Sequence, residues 1–215
     1  MTTTIPQIHW PHLLPLLVVV LGAVAVLMWD TFFRSRDRAF LVGLTLMVLA
    51  SAVGITLGSV ADLAGGSVSF GGMYVFDRFT GFVFVLIMLA SFLSVLVAAA
   101  QQSLDDPPAG EYFALILFAT SGMMLMASTR NLLMIFIGLE ILSLSLYVLA
   151  GYLRTQAAGN EAALKYFLLG AFASGFLLFG MAMIYGAAGS VDLAEIAKHL
   201  NTNSAARGPI FLLCL

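Results

Sequence analysis

Six stretches of this chain run for about twenty residues with almost no charge. They lie at 12–29, 39–58, 77–100, 111–128, 132–152 and 162–186. An α-helix needs roughly 20 mostly apolar residues to cross about 30 Å of hydrocarbon. Inside lipid the backbone must satisfy its own hydrogen bonds, so each stretch predicts a spanning helix. Composition agrees: 61% of the 215 residues are hydrophobic and 9% charged, against about 25% charged in a soluble domain. So few charges cannot cover a water-exposed surface. The predicted fold is all-α, a polytopic transmembrane helix bundle. Trp10, Trp29, Tyr112, Tyr152 and Tyr185 fall near span ends, where amphipathic rings prefer the interface.

The segments between spans carry the charges and chain breakers: "DTFFRSRDR" at 30–38, "GSVADLAGGS" at 58–67, "SLDDPPAGE" at 103–111 and "RTQAAGN" at 154–160. A longer loop follows at 187–207. Within it Leu193, Ile196, Ala197 and Leu200 recur at helical spacing. That pattern predicts an amphipathic helix lying on the membrane surface or against a neighbouring loop. After Pro209 the sequence reads "IFLLCL", the expected start of a seventh span.

Several classes are excluded. The net charge of −2 and the lack of a basic tail give no footing for nucleic acid. One cysteine, Cys214, allows neither an internal disulfide nor a Cys-rich metal or iron–sulfur site. No nucleotide or flavin fingerprint is present. The first twelve residues hold no Lys or Arg, so the first apolar stretch reads as a retained helix and not a cleaved signal. Arg34, Arg36 and Arg38 cluster in the first loop. The positive-inside rule therefore predicts an external N-terminus and a cytoplasmic first loop. Over the whole chain the counts tie, with Arg34, Arg36, Arg38 and Arg154 inside against Arg78, Arg130, Lys198 and Arg207 outside, so the orientation rests on the early cluster.

The informative residues are the ionisable ones inside spans. In "NLLMIFIGLEILSLSLYVLAGY", 131–152, Glu140 is the one ionisable group near mid-span. A charge at mid-bilayer costs about 2.5–3.5 kcal/mol on insertion scales and marks a proton, ion or substrate path by default. Ser143 and Tyr147 follow at i+3 and i+7 and share its helix face, making a polar stripe on an apolar helix. The alternative is a protonated Glu140 acting as hydrogen-bond glue, a role Ser or Gln fills without an ionisable group. Lys165 opens the sixth span. It can carry function, snorkel to the headgroups or pair with Glu161 at i+4. With the sixth helix starting near Ala162, Lys165 and Glu140 differ in depth by roughly 13 Å, so a direct pair is not expected unless that helix starts well earlier. Glu111 opens the fourth span beside Asp105 and Asp106 and reads as an interfacial charge. Asp77 and Arg78 open the third span in a structural role. Gly170 with Ser174, and Ala171 with Gly175, form a close-packing face.

"GLEILSLSLYVLAGY" at 138–152 and "EAALKYFLLGAFASGFLLFGMAMIYGAAGS" at 161–190 resemble the subunit N family of bacterial proton-pumping NADH:quinone oxidoreductase, respiratory complex I. "EYFALILFATSGMMLMASTRNLLMIFIGLE" extends the likeness back to Glu111; over 1–100 it rests on hydrophobicity and a few positions such as Asp77. The resemblance implies an antiporter-like fold of roughly fourteen helices with inverted repeats and broken helices. Residues 1–110 would then hold helices one to three, and 111–215 the start of the first repeat. It assigns proton transfer to Glu140, Lys165 and Glu111; the polar stripe read from helical spacing adds Ser143 and Tyr147 in support. It places the direct partner of Glu140 on the seventh helix, and it implies that the chain corresponds to the N-terminal part of such a subunit. It implies a subunit of a translocase in the bacterial cytoplasmic (inner) membrane, bound to other membrane-arm subunits and lipid and acting on protons. NADH, FMN, iron–sulfur clusters and quinone would serve elsewhere in the complex, with no cofactor or metal in this chain. Two other readings stay open: a subunit of a multi-subunit cation/proton antiporter, and a purely structural membrane-arm subunit.

Overall fold

The computed structural model describes residues 9–33, 38–61, 66–101, 109–153 and 155–202. Among the described residues seven α-helices form: α1 (Trp10–Phe33), α2 (Arg38–Ala61), α3 (Arg78–Gln101), α4 (Ala109–Ala127), α5 (Leu132–Ala150), α6 (Ala157–Ala188) and α7 (Leu193–Thr202). The first six are long and apolar enough to cross a membrane, as the apolar runs predict. Asp105, Asp106, Arg154 and the expected seventh span after Pro209 lie outside the described residues, as do Arg34 and Arg36 of the first loop.

Helices α1 to α4 share one core. Val19 and Val26 of α1, Leu49 of α2, Phe84 and Met88 of α3, and Phe113 and Leu117 of α4 are all fully buried in it. Several buried hydroxyls find partners within this core. Thr45 and Thr56 each donate to the carbonyl one turn back at 2.8 Å, and Ser91 meets Thr120 across α3 and α4 at 2.7 Å. Such bonds suit a span, where no water competes. Helix α5 joins the bundle through glycine. A Cβ on Gly122 would stand 2.6 Å from the Gly138 carbonyl oxygen, and one on Gly138 2.8 Å from the Gly122 carbonyl oxygen. The two backbones therefore touch.

A feature not expected from the sequence closes one end of the bundle. Strands β1 (Ser67–Ser69) and β2 (Tyr74–Phe76) pair antiparallel. A tight turn joins them, with Phe70 at φ 53, Gly71 at φ 64 and Gly72 at φ 102. This hairpin ties together the ends of α1, α3 and α4. The Val75 N–H donates to Ser128 O at 2.7 Å after α4, and Tyr74 Oη donates to His12 O at 2.8 Å in α1. Thr129 Oγ1 donates to Met73 O at 2.6 Å. Burial pushes the Tyr74 phenol above its ordinary pKa, against a smaller opposing hydrogen bond with Ser128. Asp77 then caps α3, its Oδ1 accepting from Thr80 N–H at 2.7 Å. That is the structural role expected of this position.

Helix α6 lies outside the four-helix core and packs against α5 and α7. Of its 32 residues only Met181 is buried. It ends at Gly189, whose φ of 69 forms a left-handed cap. The amphipathic segment does fold as α7, started by Asp192, whose Oδ1 accepts from Ala194 N–H at 2.8 Å. Of the two expected positions it takes the one against a neighbouring loop: Leu132 N–H donates to Val191 O at 2.9 Å and Leu193 N–H to Arg130 O at 3.0 Å. Ile196 turns inward onto Leu132 and Met181. Leu193 is exposed, and so is Ala197.

Candidate functional site

Asn131 starts α5 as an N-cap, its Oδ1 accepting from Leu133 N–H at 2.9 Å and Met134 N–H at 3.4 Å. The Gly122–Gly138 contact then fixes which face of α5 meets α4. Ser145, seven residues after Gly138, is buried and donates to Ile141 O at 2.8 Å. With about 100° per residue, Glu140, Ser143 and Tyr147 point away from α4. They point towards α6. The Tyr147 ring stands 4.9 Å from that of Tyr166 and 5.7 Å from that of Phe167. A side chain at Gly170 would collide with the Tyr147 hydroxyl. At the opposite end Phe136 of α5 and Ile184 of α6 both pack against the buried cluster of Leu132, Met181 and Ile196. The polar stripe thus lies along the α5–α6 seam, between apolar contacts at both ends.

Glu140 has the most demanding environment on this stripe. Its Oε1 is shielded from solvent and has no hydrogen-bond partner among the described residues. An unsatisfied buried acceptor costs about 1–3 kcal/mol, and more when charged. The site therefore favours the arrival of a hydrogen-bond donor.

The structure does not bring Lys165 to Glu140. Helix α6 starts at Ala157, five residues before the start expected from sequence, which is the condition under which a direct pair was conceivable. The register between the helices prevents it. Tyr147 lies against Tyr166, Phe167 and Gly170, and a Cβ on Gly151 would be 2.8 Å from the Ala163 Cβ. Lys165 is therefore level with the last turn of α5. Glu140 lies roughly ten residues deeper, about 15 Å along the axis. The separation expected from sequence survives because the early turns of α6 overhang the end of α5. Lys165 Nζ instead pairs with Glu161 Oε1 at 2.5 Å, both side chains being more than 60% exposed (69% and 65%).

Glu111 is half-buried in the first turn of α4. Its neighbour is one that sequence reasoning missed. Asp30 belongs to the last turn of α1, not to the loop in which its sequence context put it. Its carboxylate accepts from the Gly110 N–H and lies close enough to Glu111 for the like charges to interact. Gly110 is required there, since a Cβ would collide with Asp30. The signal in the sequence was faint: an acid directly after the apolar run. At the same end the Tyr112 and Tyr152 rings meet at 5.0 Å, beside a cleft of about 310 Å³ between the ends of α3, α4, α5 and α6. Lys165 and Glu111 thus sit at one end of the bundle and Glu140 lies deeper. Among the described residues no three His, Cys, Asp or Glu side chains come together, so they offer no ligand set for a metal or cluster.

Residues 128–215 match the family model described as NADH:quinone oxidoreductase/Mrp antiporter, transmembrane. The NADH-quinone oxidoreductase subunit N of Trichlorobacter lovleyi is 38% identical over 201 residues, covering 94% of this chain and 41% of that relative. A chain of respiratory complex I from Thermus thermophilus superposes with a TM-score of 0.72 at 33% identity, over 93% of this chain and 41% of that one. A chain of the Mrp complex from Dietzia shares the fold, with a TM-score of 0.71 at 18% identity, over 96% of this chain and 39% of that one. The chain spans about two-fifths of the length of the curated relatives it matches. The six spans and these likenesses make the chain similar to the antiporter-like membrane subunits of NADH:quinone oxidoreductase and Mrp complexes, with subunit N among the relatives it resembles.

Proposed function

We propose that this chain is part of a membrane-arm subunit of a proton-translocating NADH:quinone oxidoreductase in a bacterial inner membrane. In this reading it contributes a stretch of proton path, with its N-terminus outside. One observation carries it: a carboxyl oxygen buried without a partner in the middle of a span, on a helix whose relatives are named as subunit N. A nearby cation lowers the pKa of a carboxylate, and its withdrawal in a dry site raises it again. Glu140 then takes up and releases one proton as a cation approaches and recedes. Lys165 and Glu111, at the inner end, are positioned to deliver protons towards it. Quinone reduction from NADH, with its FMN and iron–sulfur clusters, belongs in this proposal to partner subunits.

The family description also names the Mrp antiporter, which supports a second reading as a cation/proton antiporter subunit. Purification of the complete tagged subunit from native membranes separates the two. The oxidoreductase reading expects flavin and iron–sulfur absorbance to co-purify with NADH oxidation. An assembly intact in both preparation and size but lacking those signals supports the antiporter instead.

A further inference from the structure

The small residues of α6, Gly170 with Ser174 and Ala171 with Gly175, are expected from sequence to serve packing only. Its face towards α5 is marked by the residues that lose exposure: Ala163, Gly170, Ser174, Met181 and Ile184. Ser174 follows Gly170 by one turn and so shares its face. The contact of Tyr147 with Gly170 and the cluster that joins Leu132 of α5 to Met181 of α6 bracket the level at which Ser174 meets α5. That level is the turn carrying Glu140. The Tyr147 hydroxyl sits over Gly170, about 6 Å along α6 from Ser174. A hydroxyl on one helix thus stands between a phenol and an unpartnered carboxyl oxygen on the other.

We propose that Ser174 is a relay residue: its hydroxyl passes the proton between Glu140 and the Tyr147 end of the seam, directly or through one water. The step balances without a co-reactant. The serine oxygen accepts a proton on one side as its own proton leaves on the other, and rotation of the hydroxyl resets it. A hydroxyl is well suited because it both donates and accepts. The inference rests on the reading of Glu140 as a proton carrier, and it makes the polar path a property of two helices.

The test uses the assembled complex in inside-out membrane vesicles, with NADH oxidation, proton uptake per NADH and the infrared carboxyl band of Glu140 recorded together. Ser174→Ala is expected to lower proton uptake per NADH several-fold and to shift the Glu140 band, because a hydrogen-bond donor is lost. Ser174→Thr restores both. Tyr147→Phe, which keeps the ring packing, lowers uptake, and combined with Ser174→Ala adds little, since both act on one path. Unchanged uptake and an unmoved band in Ser174→Ala, with Glu140→Gln inactive, overturn the relay while leaving the proposed function standing. Normal uptake in Glu140→Gln overturns the function itself. Should Ser174→Ala fail to assemble, Ser174→Cys carries the same comparison: a weak donor there shifts the band, and an unmoved band overturns the relay.

Discussion

Glu140 and Lys165 are both ionisable residues in spans, yet their surroundings differ. Glu140 keeps a buried oxygen without a partner. Lys165 has found one a turn away on its own helix, at the exposed surface. Exposed pairs of this kind contribute about 0–1 kcal/mol. Glu161→Gln is therefore expected to leave the melting temperature of the purified subunit in detergent nearly unchanged. A large drop would contradict the exposed position of the pair. Gly170 behaves differently. Gly170→Ala places a methyl where the Tyr147 hydroxyl sits, and overpacking of that sort costs about 1–3 kcal/mol. A matching loss of thermal stability is expected, recovered in part by Tyr147→Phe. Glu140 and its stripe were legible in the sequence because one acid in a run of apolar residues has few explanations. Asp30 was not, because an acid beyond an apolar run looks the same whether it hangs in a loop or accepts from the N-terminus of another helix.

At the scale of the element, the six spans could be read directly, since hydrocarbon thickness imposes a minimum length that little else in a sequence imitates. The hairpin could not. Its strands are three residues each, too short for alternation to register, and "SVSFGGMYVF" abuts a span. The early turns of α6 were hidden for the opposite reason. "AAGNEAALK" is helical in the structure but too polar to count as membrane. Helix pairing depended on single glycines whose partners no sequence pattern identifies. Gly138→Leu should separate α4 from α5, because the Gly122 carbonyl occupies the space the new side chain needs. Loss of assembly is expected on native gels, with Leu144→Ala on the exposed face of the same helix as the unaffected control.

Across the whole molecule, α1 to α4 form a closed core tied by the hairpin, while α5 presents a polar stripe to a sixth helix that is otherwise largely exposed. Rigid packing on one side and a polar seam on the other is what a proton path needs: fixed walls, and ionisable groups whose partners can change. The resemblance identified from "GLEILSLSLY" anticipated this family, and the structure adds that the stripe faces α6 and that Lys165 stands about 15 Å from Glu140 along the axis. The central claim is that Glu140 carries the transported proton. The most direct measurement is proton uptake per NADH oxidised in inside-out vesicles bearing Glu140→Gln in the complete subunit. The account predicts an assembled complex that still oxidises NADH, with uptake reduced about tenfold or more, the order expected when a proton-transfer group is removed. An assembled complex with wild-type uptake would contradict it.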